Sequence, residues 1–410
     1  MGRRASIPHA AAAVEALRRD GGRTPMTGVL VIGGGPVGLA AAILLAQDGV
    51  DVTVWERRVD PPSGTRAIGI HPPSLELFDD LGVLDDIRVD AVRVDRGEAW
   101  SGGRRLGTVV FRDRPVAHPY VAALEQWRTE RILRARLESI APGSLSTGTA
   151  CTSVRTVGDE VVVEGTDASG PVSARATMVI VAAGGRAGFP GAEDPGPIHR
   201  YRDRYLMGDV ADRSGAGPIA RVHLHRDGVV ESFPLPRGMR RYVVHTGYTS
   251  PREGAGAQPT ADDLATLVAD RTGEEAAAAT NTMLSAFGVR SRRRSRVLDG
   301  RIVHVGDAAH EISPIGGQGM NLGWADARVF APLVARAVTG RGTLEREFAA
   351  AAEQQRRAVG RASWQAALNM RLGRPIPAPL VGVRDLGLWA ALNGPMMPVL
   401  ADAYTMRWLR

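Results

Sequence analysis

The sequence predicts an α/β fold: a parallel-sheet domain assembled from separate stretches of chain, an antiparallel-sheet domain inserted into it, and a helical tail. Three observations predict this. Residues 29–56 run strand, glycine turn, helix, strand. A second strand, glycine loop and helix occupy 302–338. Between them, residues 201–247 read as β-prone runs separated by Gly, Pro and Asp-Gly.

In order, 29–32 is a short apolar run, read as a buried strand, and the Ala/Leu-rich stretch 39–46 is a helix closed by Gly49. Residues 52–55 form a second strand ending at Glu56. Residues 75–81 and 124–140 are helical, 92–121 are sheet-like, and 150–183 hold two or three strands. The runs 221–224 and 229–233 flank Asp227-Gly228, which predicts a two-residue hairpin turn. Helices follow at 262–271 and 321–338, with a strand at 302–305 between them. After 340 the chain is mostly helical, broken by prolines from 375 to 398. These readings divide the chain into an extension (1–26, with Met26 as an alternative start), a first domain (27–90, 122–198 and 286–340), a second domain (91–121 and 199–285) and a tail (341–410).

Composition narrows the function. With 410 residues, 44% apolar and 23% charged, the chain has the balance of a globular protein of two or three domains. Its net charge is +7 and its 51 basic residues are all arginine. Lysine Schiff-base chemistry and a phosphate-binding Walker lysine are thereby excluded. The arginines are scattered, so no nucleic-acid partner is expected; the dense run 290–296 reads as a solvated face or a loop before a strand. One cysteine, Cys151, excludes an internal disulfide and a cysteine metal cluster. No metal site is expected, and a reducing cytoplasm fits. No apolar run reaches membrane-spanning length, so stable membrane insertion is not expected.

Gly33-x-Gly35-x-x-Gly38 fits a dinucleotide fingerprint of a Rossmann-like domain. Gly33 allows the tight turn, Gly35 lets backbone approach a pyrophosphate, and Gly38 lets helix pack on strand. Pro36 and Val37 open the helix, whose free N–H groups attract phosphate. Glu56, followed by Arg57, stands where a ribose diol would be held. The bland alternative is a chance turn in a chain with 49 glycines; the strand before, the helix after and the acid in place argue against it. The second motif is Gly306-Asp307-Ala308-Ala309-His310, in which Asp307 would accept hydrogen bonds from a ribityl chain. Pro314-Ile315-Gly316-Gly317-Gln318-Gly319-Met320-Asn321 then opens a helix whose N-terminus can face the electron-rich edge of a flavin. Together the motifs predict an FAD cradle.

The stretches 28–56, 65–71 (Thr-Arg-Ala-Ile-Gly-Ile-His) and 303–323 resemble the single-component flavin-dependent aromatic hydroxylases, the para-hydroxybenzoate hydroxylase-like superfamily with its ubiquinone-pathway and polyketide members. The resemblance is weakest over 90–120, 200–290 and beyond 340. It implies that Arg66 lies near the FAD pyrophosphate and that Gln126 contacts FAD. One departure stands out. The family carries Asp-Gly after the strand that ends here at Val181, whereas this chain reads Ala182-Ala183-Gly184-Gly185. The missing carboxylate bears on how the reductant is handled.

The resemblance further implies that NADH or NADPH reduces FAD, that dioxygen adds to give a flavin hydroperoxide, and that an electron-rich aromatic or polyketide-like ring is hydroxylated, as in secondary metabolism. A base near the phenol would help. His223, His225 and Tyr242 are the weak candidates, and Tyr201 and His245 share their region; residues of this kind are more often packed or solvent-facing than basic catalysts. A flavin halogenase would need a lysine and a Trp-x-Trp motif, which the chain lacks. An FAD dehydrogenase or reductase, and an FAD-binding pathway protein without turnover, remain as alternatives. Trp364, Trp389 and Trp408 in the tail are read as core or dimer contacts, so a homodimer is compatible.

Overall fold

The computed structural model describes residues 26–61, 64, 67–112, 116–185, 196–248, 259–340 and 344–409. Arg66 lies outside them. The strand Met26–Ile32 sits inside an eight-stranded sheet, paired in parallel with Gly170–Val181 on one side and Val52–Glu56 on the other. Leu145–Thr147 and Ile302–His304 continue the parallel array outward. Helices pack on the face that carries Val29 and Val31, the strands Ala150–Val157 and Glu160–Asp167 pack on the face that carries Leu30 and Ile32, and Val29, Leu30 and Val31 are fully buried. That double cover explains why the strand reads as an unbroken apolar run rather than an alternating one.

Two helices seal this sheet and carry the two motifs. Pro36–Gln47 buries Leu39, Ile43 and Leu45, and Gly319–Val338 buries Leu322, Trp324, Phe330 and Val334. Each such side chain contributes about 1.5–3 kcal/mol of transfer free energy. The helices also lock together directly. The Trp324 indole donates to the Pro36 carbonyl at 3.0 Å. Val37 fits a notch that only glycine leaves open, since a Cβ on Gly323 would lie 2.5 Å from Val37 Cγ2.

The second sheet is also eight-stranded, in the order His310–Glu311, Met283–Arg293, Ile198–Ala211, Met239–Tyr248, Val230–Leu235, Ala220–His223, Arg96–Ser101, Arg104–Val110. Its pairs are antiparallel except Ala220–His223 with Arg96–Ser101. One face packs on the helix Ala261–Thr272 through Leu206, Val230, Tyr242, Val244, Leu264 and Val268. The other face, with Tyr205, Met207, Val243 and Phe287, turns inward.

Tail helices Glu345–Gly373, Ala378–Asn393 and Met397–Tyr404 complete the described chain. Their junction is stitched to the second sheet: Arg374 donates to both Asp203 carboxylate oxygens at 2.9 and 2.7 Å, and Val229 N–H donates to the Gly373 carbonyl at 2.8 Å. No helix among the described residues is long and apolar enough to cross a membrane.

Three expectations need correction. The turn between Ala220–His223 and Val230–Leu235 is not a two-residue hairpin, because its flanks are claimed elsewhere: Leu224 N–H bonds Trp100, and Val229 N–H bonds Gly373. The arginine run 290–296 is no loose face: it begins inside the strand Met283–Arg293, which crosses the boundary drawn at 286 and pairs wholly in the second sheet. Trp364 and Trp389 are 69% and 53% exposed, so neither is a core residue; Trp408 packs partly against a small cluster with Met406 and Val359.

Candidate active site

Both motifs open into one cleft of about 1530 Å³, running between the two sheets and walled by the tail helices. Gly33, Gly35, Pro36, Val37, Glu56, Arg57, Gln126, Gly306, Asp307, Pro314, Gly317, Gly319 and Met320 all line it. Gly38 and Asn321 do not.

At the first end the chain is built around absent side chains. Gly33 has φ +107°, and a Cβ there would lie 2.5 Å from the Ala182 carbonyl oxygen. A Cβ on Gly38 would lie 1.9 Å from the Gly33 oxygen. These two glycines therefore serve helix–strand contact. Gly35 differs: its missing Cβ faces open cleft, with only Arg58 Nη2 at 3.9 Å. Glu56 is buried and accepts from Gly34 N–H at 2.7 Å and from Arg58 N–H and Nε at 2.8 Å each. Burial alone would raise its pKa, but the Arg58 side chain and the two backbone donors outweigh burial and hold it below the usual carboxylate value. Arg58, which the sequence reading did not single out, is thus the arginine engaged with the ribose-site acid, and Arg57 lines the same cleft. Gln126 donates to Glu130 at 2.7 Å and stands on the same wall.

The second end is held by a buried pair. His310 Nε2 lies 2.6 Å from Asp326, which also accepts Gly306 N–H at 2.9 Å. Burial lowers the His310 pKa, yet the Asp326 carboxylate prevails and raises it. The pair fixes the turn that presents Asp307. The Asp307 side chain is open to the cleft but deep beneath the outer surface, and this enclosure, with the Glu311 charge, pushes its pKa to about 6. Asn321 works inside the protein: it donates to the Gly69 and Gly317 carbonyls and accepts from His71 N–H and the Ser74 hydroxyl. It shapes the glycine loop rather than lining the cleft. Gln318, which precedes the helix Gly319–Val338, is buried with its amide nitrogen and oxygen both lacking a partner among the described residues. Gln318 does not itself line the cleft; the glycine-lined approach of Gly316, Gly317 and Gly319 to the helix N-terminus does, and it fits FAD.

At the anomalous turn, Gly184 has φ +76° and nothing within 4 Å of its missing Cβ. A carboxylate arrives there by another route. Glu311 Oε2 would lie 2.7 Å from a Cβ on Gly185, and Arg290 donates to Glu311 at 2.7 Å and to the Gly185 carbonyl at 3.3 Å.

The three candidate bases do not reach the cleft. His223 Nε2 lies 3.4 Å from Glu274, and the Tyr242 hydroxyl donates to Glu274 at 3.0 Å, both on the helix-covered side of the sheet. Strand alternation dictates this: they are out of phase with Val222 and Val243, which line the cleft. His225 sits in the loop and accepts Asp227 N–H at 3.2 Å. Of their neighbours, His245 is buried against Asp203, while Tyr201 does line the cleft. Sequence reading missed Arg58, Glu231, Arg290 and Glu311, all of which line it. Among the described residues no group of three or more His, Cys, Asp or Glu side chains is placed to hold a metal ion.

Two sheets meeting over a glycine-built nucleotide cradle define an FAD-binding protein. Residues 26–367 match the family model described as FAD binding domain, and the chain belongs to that family. It is 29% identical over 310 residues to 12-dehydrotetracycline 5-monooxygenase/anhydrotetracycline 6-monooxygenase of Streptomyces rimosus, covering 73% of this chain and 60% of that one. It is 31% identical to rifampicin monooxygenase of Streptomyces venezuelae, covering 74% and 62%. Among solved structures, anhydrotetracycline hydroxylase from Streptomyces rimosus superposes with a TM-score of 0.77 at 25% identity, covering 93% of this chain and 76% of that one. The chain spans about 60% of the length of the curated relatives it matches. The family expected from the sequence motifs is therefore the family found.

Proposed function

We propose that this protein is an FAD-dependent monooxygenase that hydroxylates an aromatic or polyketide-like substrate with dioxygen and NADH or NADPH. One observation carries the reading: a single cleft joins a nucleotide cradle to an apolar sheet face. Its volume of about 1530 Å³ exceeds that of an ordinary small-ligand pocket and leaves room for a fused-ring substrate beside a dinucleotide. The relatives named for tetracycline and rifampicin chemistry support the same substrate class.

Gly35, Pro36 and Val37 would hold the pyrophosphate, Glu56 the ribose, Asp307 the ribityl chain, and the N-terminus of Gly319–Val338 the ring edge. The chemistry that FAD supplies when bound is hydride acceptance and activation of dioxygen. The chain's own residues bind, orient and keep dry. Phe233, Phe287, Ile315 and Leu392 wall the substrate end and exclude water there. Glu311, paired with Arg290, brings a carboxylate to the turn where the family aspartate is replaced. The exposed apolar side of Ala378–Asn393, with Leu380, Val383, Leu386 and Trp389, supports a homodimer.

The test is anaerobic mixing of the yellow protein with NADH or NADPH, then admission of air over a panel of phenols, quinols and aromatic polyketides. Bleaching accelerated by a ligand, with product heavier by one oxygen atom, is the expected result. Bleaching without oxygen insertion would favour a dehydrogenase, and no bleaching with either reductant would favour an FAD protein without turnover.

A further inference from the structure

The inward face of the second sheet carries one side chain that does not suit its surroundings. Cross-strand register aligns Ala99, Val222, Glu231, Val243 and Met207 in a single row across five strands. All five line the cleft. Four are apolar, and the Glu231 carboxyl stands in the middle of them. Phe233 and Val229 flank it on its own strand side, and Leu224 and Phe287 lie close by on the same wall. No hydrogen bond or ion pair from the described residues perturbs the carboxyl; burial alone acts on it.

We propose that Glu231 is the polar anchor of the substrate pocket, where its carboxylate takes the hydroxyl proton of a phenolic ring laid against this sheet face. This rests on the reading of the cleft as a substrate pocket. An unpaired buried acid opposes folding, so its presence in an apolar row needs a ligand-side reason. In the step, the phenol O–H bond breaks, a carboxyl O–H bond forms, and the electron pair left on oxygen enriches the ring. The proton later returns to water.

Other groups near the carboxyl do not compete. Tyr205 and Tyr404 feel its charge: burial first, then that charge, pushes the Tyr205 phenol far above its usual value, and Tyr404, partly exposed but enclosed where it lines the cleft, is raised to about 12. Both stay neutral. Arg241, on the adjoining strand, is spent on Asp209 at 2.6 and 2.7 Å, and Arg374 on Asp203. Arg221 and His223 turn to Glu274 on the far side. Burial lifts the Glu231 pKa to about 7, close to where a base for phenols works best at neutral pH.

The test uses FAD-loaded full chain without reductant, and two matched probes: 2-hydroxyanthraquinone and its methyl ether. Equilibrium dialysis gives affinity, and the visible band reports ionisation of the bound hydroxyl. Wild type at pH 8 is expected to prefer the hydroxyl by about tenfold or more, as for a hydrogen bond to a charged group, with a phenolate-like band. Glu231→Gln, which can accept but not take a proton, should keep part of the preference and lose the band. Glu231→Leu should lose both. Bound-FAD content and a melting curve verify that each variant is folded. Equal binding of the two probes to wild type, or undiminished preference and band in Glu231→Leu, would overturn the anchor and leave the monooxygenase reading standing. Oxygen insertion failing while the anchor behaves as described would overturn that reading alone.

Discussion

At the scale of single residues, glycines that look equivalent in sequence part company in structure. A side chain at Gly35 meets nothing but Arg58 Nη2 at 3.9 Å, whereas one at Gly38 strikes the Gly33 oxygen. Gly35→Val should therefore fold with a near-normal melting temperature yet purify colourless, with FAD affinity at least about tenfold weaker. Gly38→Val should be unstable with or without FAD. Absorbance of bound flavin and thermal melts separate the two; a yellow Gly35→Val would count against the cradle. Glu231 yields a pH prediction. Its carboxyl titrates near 7 when folded against about 4.5 unfolded, so between these values the folded state keeps a proton that the unfolded chain releases. Stability is then full below about pH 4.5, falls as pH rises, and levels off above 7. Glu231→Leu should gain about 2 kcal/mol at pH 8 and little at pH 4, read by urea unfolding. The contrast in legibility is instructive. Gly33 to Glu56 could be read because the fingerprint is local. Glu231 could not, because its apolar neighbours Ala99, Val243 and Met207 come from strands whose register no local pattern encodes. Arg58 escaped notice because its role, an ion pair with Glu56 two residues earlier, shows only once the chain past the strand end folds back.

Among elements, one of the shortest strands carries a charge to the cofactor cleft. His310–Glu311 is two residues long, yet it edges the second sheet against Met283–Arg293 and carries Glu311 to the Gly184-Gly185 turn. A carboxylate lost from one loop is thus supplied by a strand over a hundred residues away, which is why the loop alone suggested a deficit. Glu311→Gln is expected to slow NAD(P)H-dependent bleaching by about tenfold with FAD content unchanged, on the scale of one charged hydrogen bond. Gly184→Asp should add little, since it places a second negative charge beside the first in a left-handed backbone position. Stopped-flow absorbance decides; an unaffected Glu311→Gln would return attention to the missing aspartate. The helices of both cradle halves were legible from their glycine starts, whereas the 224–229 connection was not, because long-range partners rather than turn chemistry set its length.

For the whole molecule, the two large sheets and the helical tail were readable in outline, and the tail's surface was not. Apolar periodicity marks a buried side but cannot say whether the partner is the same chain. Here Leu380, Val383, Leu386 and Trp389 are all more than half exposed. If a second copy covers them, light scattering should give twice the chain mass, and Val383→Asp with Trp389→Asp should halve it while the flavin stays bound. A single-chain mass for wild type would dismiss the pairing.

The cleft draws its walls from Gly33 near one end of the described chain and from Tyr404 near the other. Occupancy is therefore not a local affair. A ligand that bridges such distant segments is linked to the global unfolding equilibrium, and at a hundredfold excess over its dissociation constant it adds about 2.7 kcal/mol to the entire fold. Protease resistance across both sheets should accordingly rise and fall with the supply of flavin.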